Sequence, residues 1–443
     1  MKHCHFSILY NELPFLKAKL PFLYENFDQL IFFDLNIKTH THSTDGSWEF
    51  LKAYPDPENK IVLIDQLDLS HITEYYGQSF VEKRKMFALG SRYVSDDMDV
   101  FWCDDMDEFF DVEWIQKVEE ILENDPEVNT IVAPHHVFLK HGKWVFDSNY
   151  FQIPRISRHI PGKIYGHCGL NTPKIYYHPE RVFFHYAFVG YPRIENKLKL
   201  YQNNRAEKWL SRYKKCKTLE DVQELGHPDP KQKLPIIEYK GSHPRYVNIE
   251  KLCCELEGEK YYIPAPEPWM HKTIIAILDT LVTEDMSILE FGSGRSTLFL
   301  AQRCRNIVSV EHSKEWFGNI SKTLKELELS DRVTYILKDI DYVSKPSTDD
   351  RLYNCDSLEE LLGENLSSKK YDIIIVDGIH RVNCAKHSFP NLKKGGMFIL
   401  DDSNRIDNPC SDGSYRPVVD LLEGNFYRQC RDASRHTDYW ILQ

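Results

Sequence analysis

Short apolar runs alternate with amphipathic segments of helical length in two separate stretches of this sequence, and this alternation constrains the fold most. The candidate strands of the first stretch are residues 5–10, 29–36, 60–66, 99–105 and 130–139. Those of the second stretch are residues 287–291, 307–311, 333–339, 372–377 and 397–402. Strands that alternate with helices at this spacing predict mainly parallel sheets covered by helices on both faces. We therefore predict an α/β protein with two doubly wound domains, residues 1–250 and 251–443.

Length and charge narrow the class of protein. A chain of 443 residues is long enough for two cores. Its 55 Lys and Arg residues against 67 Asp and Glu give a net charge of −12, which argues against nucleic acid as a partner. The eleven cysteines are scattered without a C-x-x-C pair, which is typical of reduced thiols in a cytoplasmic protein. The sequence suggests neither a signal peptide nor a transmembrane segment, so only peripheral membrane contact stays open.

The second stretch contains a glycine turn between a strand and a helix, in the sequence ILEFGSGRST at residues 288–297. The apolar strand runs through Glu290, and Gly292 and Gly294 form the turn. Glycines at this point let the backbone approach a ligand closely, and the following helix offers free N–H groups. The third glycine of the dinucleotide fingerprint is missing, which argues against a dehydrogenase.

Acidic residues follow the turn at the ends of the next strands. Glu311 lies about 20 residues beyond it, where an acid accepts ribose hydroxyls, and Asp339 ends the third strand. This pattern resembles class I S-adenosylmethionine-dependent methyltransferases, with a Rossmann-like fold, from about residue 260 onward. The resemblance implies S-adenosyl-L-methionine as the cofactor. It places Glu290, Gly292 and Gly294 beside the methionine portion, Glu311 on the ribose and Asp339 near the adenine.

Three further carboxylates end strands four and five, namely Asp377, Asp401 and Asp402. Such strand ends converge on the ligand crevice, and three oxygen ligands suit Mg²⁺. The pattern is similar to metal-dependent catechol and sugar O-methyltransferases, which implies that the metal chelates two neighbouring hydroxyls and that His380 accepts a proton. The sequence departs from the sugar-modifying relatives at Ile379, where they often have an acid. The alternatives are a solvated, helix-capping strand end and a surface histidine.

In the first stretch a hydrophobic strand runs into four acids, in the sequence DVFWCDDMDEFF at residues 99–110. A buried strand does not tolerate such a cluster unless a cation compensates it. Asp105 and Asp107 have the spacing that chelates Mn²⁺ or Mg²⁺ against a diphosphate. Asp104 and Glu108 are nearby alternates.

The beginning of the chain has a strand, an Asn11–Glu12 turn, a helix and a second strand ending near Asp34. This order resembles GT-A glycosyltransferases of the branch with an "(I/L)xNE" opening and a "D-x-D-E-F" strand. The resemblance implies that Asn11 and Glu12 lie near the nucleoside, that Asp34 faces the base or ribose, and that Asp105 and Asp107 hold the metal.

The resemblance to this glycosyltransferase branch suggests two more candidate site residues in the first domain. The sequence VFFHYAF at residues 182–188 matches the late "HY" of the branch, which implies that His185 is a metal or diphosphate ligand, with a core histidine as the alternative. Asp147 is the candidate base of an inverting transferase. The histidines at 135–136 are interpreted as strand residues.

Together these patterns predict a bifunctional enzyme of glycan biosynthesis. The first domain would transfer a sugar from a nucleoside-diphosphate-sugar donor to a glycan acceptor, and the second would O-methylate a sugar hydroxyl. The alternative is a methyltransferase whose first domain is a non-catalytic glycan-binding module. Two dehydrogenase-like domains are excluded because each half lacks the third glycine.

Overall fold

The computed structural model divides the chain into two compact units. It describes residues 1–36, 38–73, 81–148, 151–165, 174–200, 206–229, 232–257, 267–338, 352–353, 355–407 and 414–443. The first unit comprises Met1–Lys52 and Asn59–Tyr261, and the second comprises Ala53–Glu58 and Tyr262–Gln443. Among these residues no helix has the length and apolar character needed to cross a membrane.

The first unit is built on a mixed sheet. Its strands are β1 (His3–Leu9), β2 (Gln29–Asp34), β3 (Ile61–Leu63), β4 (Val100–Cys103), β5 (Glu108–Phe109), β6 (Thr130–Lys140), β7 (Trp144–Phe146), β8 (Gln152–Arg158), β9 (Ile175–Tyr177), β10 (Phe183–Val189) and β11 (Ile236–Glu238). Its helices are α1 (Leu13–Asn26), α2 (Ser47–Ala53), α3 (Val81–Ser91), α4 (Val112–Asn124), α5 (Tyr191–Leu200), α6 (Ala206–Tyr213), α7 (Leu219–Leu225) and α8 (Ile249–Glu257).

This sheet mixes a parallel block of four strands with further parallel and antiparallel pairs, and β6 pairs parallel with both β9 and β10. Strands β4, β1, β2 and β3 lie side by side in that order and run parallel. Beyond them β8 pairs antiparallel with β4 and β6, and β7 pairs antiparallel with β6 and β11. The predicted doubly wound fold is therefore wrong for this half. Strands β6, β7 and β8 follow one another through short connections, which suit antiparallel pairing, whereas parallel pairing needs a crossover of about a dozen residues.

Helix α4 shows how local pattern fixes an element of this unit. Its buried residues are Trp114, Ile115, Val118, Ile121 and Leu122, at the three- and four-residue spacing of one helical face. The opposite face carries its glutamates and lysine. This amphipathic spacing is the local signal by which the sequence encodes the helix.

The first unit extends past the predicted boundary at residue 250, which falls inside α8. This helix contacts α1 and α5. Lys17 of α1 donates hydrogen bonds to Glu255 of α8 at 3.0 and 3.2 Å. Leu252 and Leu256 are the buried residues of the helix. The helix therefore belongs to the core of the first unit.

The described residues of the second unit form one seven-stranded sheet and several helices. Its strands are β12 (Ser287–Phe291), β13 (Asn306–Glu311), β14 (Val333–Leu337), β15 (Tyr371–Val376), β16 (Leu392–Asp401), β17 (Phe426–Arg431) and β18 (His436–Ile441). Its helices are α9 (Lys272–Leu281), α10 (Arg295–Ala301), α11 (Lys314–Glu326), α12 (Leu358–Leu362), α13 (Glu364–Ser367), α14 (Arg381–Ser388) and α15 (Arg416–Leu421).

This sheet has the order β14-β13-β12-β15-β16-β18-β17 in the described residues. The first five strands are parallel, and β18 runs antiparallel between β16 and β17. The parallel half keeps the 3-2-1-4-5 order of nucleotide-binding folds. All five residues of β12 are buried, as expected for a strand covered on both faces. The Rossmann-like fold predicted for this half is therefore confirmed.

A short piece from the early part of the chain belongs to the second unit. Residues Ala53–Glu58 cluster with this unit, although the rest of the first 261 residues do not. The hydroxyl of Tyr439, a buried residue of β18, donates to the carbonyl of Ala53, 386 residues earlier. The second unit is therefore assembled from two separate parts of the sequence.

Candidate active sites

The glycine turn at residues 291–294 follows β12 and is held against the end of β15. Gly292 has a φ of +90°, and a Cβ there would lie 2.5 Å from the backbone nitrogen of Gly378. The backbone N–H of Gly294 donates to the Thr297 hydroxyl at 2.9 Å just before α10. Only glycine fits the first position, because a side chain would clash with backbone. The turn therefore brings two strand ends into close contact, as the sequence pattern predicts.

Glu290 lies beneath this turn and is fully buried. Its carboxylate accepts hydrogen bonds from the hydroxyls of Ser296, Thr297 and Ser309, each at 2.6 Å. Burial raises the pKa of Glu290 above its usual value, and the three hydroxyls oppose that shift. Its observed contacts fix the turn and the start of α10. Contact with a cofactor stays a prediction for this residue.

Glu311, at the end of β13, faces the other side of the turn. Its carboxylate accepts from the N–H and hydroxyl of Ser293 at 2.9 and 2.7 Å, and from the N–H groups of His312 and Ser313 at 2.9 and 2.8 Å. Although burial opposes the shift, these hydrogen bonds lower the pKa of Glu311 to about 2. The residue is therefore an ionised acceptor at neutral pH. The fifth predicted cofactor residue, Asp339, lies outside the described residues.

The carboxylates of Asp377, Asp401 and Asp402 converge at the ends of β15 and β16, with one oxygen of each within 4.8 Å of the others. The Arg381 guanidinium donates to Asp377 at 3.2 Å and to Asp402 at 3.0 Å. The Thr437 hydroxyl donates to Asp401 at 2.5 Å. Burial, followed by the charge of Asp402, raises the pKa of Asp401 to about 6. Burial and the charge of Asp401 raise the pKa of Asp377 well above its usual value.

His380 immediately precedes α14, on the same strand-end loop as Asp377. It has a φ of +50°, and its ring centroid lies 6.2 Å from that of Tyr353. Asp402 has the same left-handed φ of +50° after β16. Left-handed residues reverse the chain sharply, so both loops turn at the edge of the sheet. The structure places His380 on the loop that carries Asp377, and its role as a base stays a prediction.

In the first unit, Asn11 and Asp34 hold the loop that follows β2. The Ser43 N–H and hydroxyl donate to Asp34 at 3.2 and 2.6 Å. The Asn11 side chain accepts from the Thr44 N–H at 2.8 Å, and the Asn11 N–H donates to the Ser43 hydroxyl at 2.7 Å. Burial raises the pKa of Asp34 to about 6. The structure brings these predicted nucleoside ligands together at the ends of β1 and β2.

The acidic run after β4 is neutralised by cations of the chain itself. Asp104 is buried and contacts His5 at 2.8 Å and Lys19 at 2.6 Å. Asp105 is 30% exposed and contacts Lys83 at 3.1 Å and Arg155 at 3.2 Å. Since each carboxylate has its own cationic partners, the loop is stable next to a buried strand.

Asp107 faces a different cation from Asp105. It forms an ion pair with Arg193, whose Nε also donates to Glu12 at 3.1 and 3.2 Å. In the described residues, neither Asp105 nor Asp107 is part of a group of three metal-ligating side chains. The donor set predicted for Mn²⁺ or Mg²⁺ therefore does not fit this structure, because the two carboxylates bind separate cations.

His185 has different neighbours from those predicted. Its Nε2 lies 3.5 Å from Asp107, and its Nδ1 lies 3.6 Å from Glu108. Glu108, His135 and His185 form a group whose ligand atoms lie within 4.8 Å of one another. Asp147, which follows β7, is half exposed and pairs with Arg181 at 3.1 Å. No described contact joins Asp147 to the acidic loop, and its role as a base stays a prediction.

Sequence reasoning missed the arginines that organise both sites and one buried histidine. Arg155, Arg193 and Arg381 each neutralise two acids from distant parts of the chain or from neighbouring loops. The only signal in the sequence was the excess of acids on apolar strands, which requires a compensating cation without saying which. His135 was interpreted as a strand residue. Local sequence does not show that its strand, β6, pairs with β10, which carries His185.

Comparison with known proteins assigns one of these sites to a class. Residues 289–403 match a family model described as a methyltransferase domain. This segment contains the glycine turn, Glu311 and the acidic cluster. The second unit therefore contains a methyltransferase domain. No curated protein sequence matches the chain.

Several solved structures resemble little more than a third of the chain. An O-methyltransferase from Bacillus cereus in complex with SAH is 18% identical, with 35% of this chain and 74% of that chain covered and a TM-score of 0.25. An rRNA methylase from Streptococcus thermophilus is 14% identical, covering 37% and 90% with a TM-score of 0.26. An rRNA methyltransferase from T. thermophilus in complex with AdoMet and guanosine is 18% identical, covering 36% and 38% with a TM-score of 0.25.

Proposed function

We propose that the second unit transfers a methyl group from S-adenosylmethionine to a hydroxyl oxygen of a sugar in a glycan. The observation that carries this proposal is the position of Glu311. It is an ionised carboxylate beside the Gly292 turn, within the segment that matches the methyltransferase family. An acid at this strand end is placed to accept ribose hydroxyls.

The cofactor would supply an electrophilic methyl group bound to a positively charged sulfur. Gly292 and Gly294 leave room for it because neither carries a side chain. Glu311 accepts ribose hydroxyls once the Ser293 hydroxyl, which now occupies one carboxylate oxygen, rotates away. The proton of the acceptor hydroxyl would pass to the His380 imidazole, and the oxygen would take the methyl carbon as its bond to the sulfur breaks, which leaves the cofactor as a neutral thioether.

The acidic cluster fits a divalent cation by its charge. Three carboxylates face the guanidinium of Arg381 and, at 3.7 Å from Asp402, that of Arg405, which leaves a formal charge of −1 when all three acids are ionised. Burial, together with the charges of the neighbouring acids, raises the pKa of Asp377 and of Asp401, and a bound cation would offset both effects. Asp377, Asp401 and Asp402 would hold Mg²⁺, which would lower the pKa of a sugar hydroxyl.

EDTA is expected to suppress methyl transfer, and Mg²⁺ to restore it. Replacing Asp402, which is 45% exposed, by Ala should reduce the rate about 10- to 100-fold, and cofactor affinity should change little. The rate is measured with catechol and methyl glycosides as acceptors, and cofactor binding by calorimetry. Asp420→Ala, an exposed position in α15, is the matched control. Full activity in EDTA would assign the three aspartates to charge balance with Arg381 alone.

We also propose that the first unit transfers a sugar from a nucleoside-diphosphate-sugar to a glycan acceptor. Its support is the shared position of Asn11, Asp34 and Asp105, which follow the carboxyl ends of β1, β2 and β4. Ligands of parallel sheets bind at these ends. Combination with a methyltransferase in one chain suggests a shared glycan product.

Replacing Asp105 by Asn should reduce turnover of the sugar donor about 10- to 100-fold, because Lys83 and Arg155 lose the charge that positions them. Hydrolysis and transfer of UDP- and GDP-sugars are measured with and without Mn²⁺. Asp96→Asn, at an exposed position before β4, is the control, and the methylation rate should be unchanged. Glycan binding without turnover of any donor would favour a non-catalytic glycan-binding unit.

A further inference from the structure

Three buried or nearly buried ligand-type side chains share one face of the sheet in the first unit. In the pairing of β5 with β10, His185 lies opposite Glu108. In the pairing of β10 with β6, Phe183 lies opposite His135. Opposite residues share a face of the sheet, and residues two apart on one strand do as well. Glu108, His185 and His135 therefore point to the same side, whereas His136 points to the other.

The spacing of these side chains suits a shared ion. Glu108 Oε1 lies 3.7 Å from His135 Nδ1 and 3.6 Å from His185 Nδ1. Tetrahedral zinc with bonds of about 2.0–2.1 Å places its ligand atoms about 3.3 Å apart. All three ligand atoms lie within 4.8 Å of one another, so small movements of the side chains would bring the three groups onto one ion. These distances are too long for hydrogen bonds between the groups themselves.

The polar atoms of the group lack partners in the described part of the chain. Neither ring nitrogen of His135 nor of His185 has a hydrogen bond there, and Glu108 Oε2 has none. His135 and Glu108 are fully buried, so water does not replace the missing partners at the surface. A buried polar group without a partner is destabilising, and native proteins hold few of them. Several such atoms on one spot indicate a ligand.

We propose that Glu108, His135 and His185 bind a divalent transition-metal ion of the zinc class. Imidazole nitrogen favours such ions, whereas Mg²⁺ prefers oxygen ligands alone. Three protein ligands leave a coordination position open, and His185, which is 14% exposed, marks the accessible side. This metal site does not depend on the proposed sugar transfer. In it, these three residues take the place of Asp105 and Asp107 as the metal ligands of the first unit.

Arg155 is compatible with a neighbouring metal ion because two carboxylates, those of Glu108 and Asp105, balance its positive charge. Its guanidinium donates to Glu108 Oε1 at 2.5 Å and lies 3.2 Å from Asp105. Oε1, the oxygen that faces both imidazoles, is the one that accepts from Arg155, and a rotation of the carboxylate would bring Oε2, which has no partner in the described residues, onto the metal. A donor on the other oxygen orients a ligating carboxylate, as outer partners do at many metal sites.

Zinc binding to the full chain is the test. Metal-free protein is dialysed against Zn²⁺, and bound metal is counted by mass spectrometry, in an Asp402→Ala background that weakens the acidic cluster of the second unit. We expect one zinc per chain, with an X-ray absorption spectrum that shows imidazole ligands. His135→Ala and His185→Ala should each lower the affinity at least about 100-fold, and His136→Ala, on the opposite face, should leave it unchanged.

Thermal unfolding of each variant separates ligand loss from misfolding. His185 is the least buried of the three, so His185→Ala should fold even if His135→Ala does not. A folded His185→Ala protein with wild-type zinc affinity would overturn the proposal, as would a spectrum with oxygen ligands only. The measurement uses neither sugar donor nor methyl donor. The zinc result can therefore be interpreted even if either transferase proposal fails. Likewise, failure of the zinc proposal would leave both transferase proposals untouched.

Discussion

Replacing His380 by Ala is expected to lower the rate of methyl transfer about 10²- to 10⁴-fold, the usual contribution of a general base. The loss should appear in kcat, with S-adenosylmethionine affinity retained, because His380 lies at the end of β15 and not at the Glu311 strand end. The change in rate is measured by single-turnover methylation of catechol and methyl glycosides over a range of pH. The limb of the pH profile assigned to the base should disappear in the variant.

His387→Ala provides a matched control, since His387 lies in the last turn of the same helix, α14. It should leave the rate and the pH profile unchanged. An unchanged pH profile in His380→Ala, or a loss confined to cofactor affinity, would assign His380 to the structure of the strand-end loop. The hydroxyl would then be activated by the metal cluster alone.

Replacing Glu311 by Ala is expected to weaken binding of S-adenosylmethionine by about 2–4 kcal/mol, or about 30- to 700-fold, through loss of two charge-assisted hydrogen bonds to ribose. Calorimetric titration with the cofactor measures the change. The sugar transfer proposed for the first unit should be unaffected. Glu315→Ala, an exposed glutamate four residues along the chain, should bind the cofactor like the wild type.

The Glu311 variant needs one further comparison, because this carboxylate also accepts hydrogen bonds from Ser293, His312 and Ser313. Glu311→Gln keeps an acceptor for the backbone but removes the charge. If Gln restores the thermal stability of the Ala variant without restoring affinity, the carboxylate acts on the cofactor directly. Wild-type affinity in a folded Ala variant would remove Glu311 from the cofactor site.

The sequence predicted the parallel halves of both sheets well, because their elements are encoded locally. Strand 287–291 was predicted with its observed bounds. Acids at the ends of neighbouring parallel strands had to meet, since such ends share one edge of the sheet. That rule placed Asp377, Asp401 and Asp402 together from spacing alone.

The remainder depends on pairings that local pattern does not encode. The contact of His135 with Glu108 requires the β6–β10 and β5–β10 registers, which join strands about 50 and 75 residues apart. The cations that bind Asp105 and Asp107 come from α3, β8 and α5. A cluster of acids predicts that a cation is needed, and both a metal and an arginine satisfy that need. Sequence reasoning chose the metal for Asp105 and Asp107, and the structure has arginines and a lysine.

The contribution of Ala53–Glu58 to the second unit has a consequence for synthesis on the ribosome. At about 5–20 residues per second, the 386 residues that separate Ala53 from its partner Tyr439 take roughly 20 to 80 s to translate. During that interval the six-residue segment has no docking surface, while the strands around it already have theirs. The methyltransferase unit therefore cannot be completed until the last strand leaves the exit tunnel. A clone that begins at residue 251 would express it without one of its pieces.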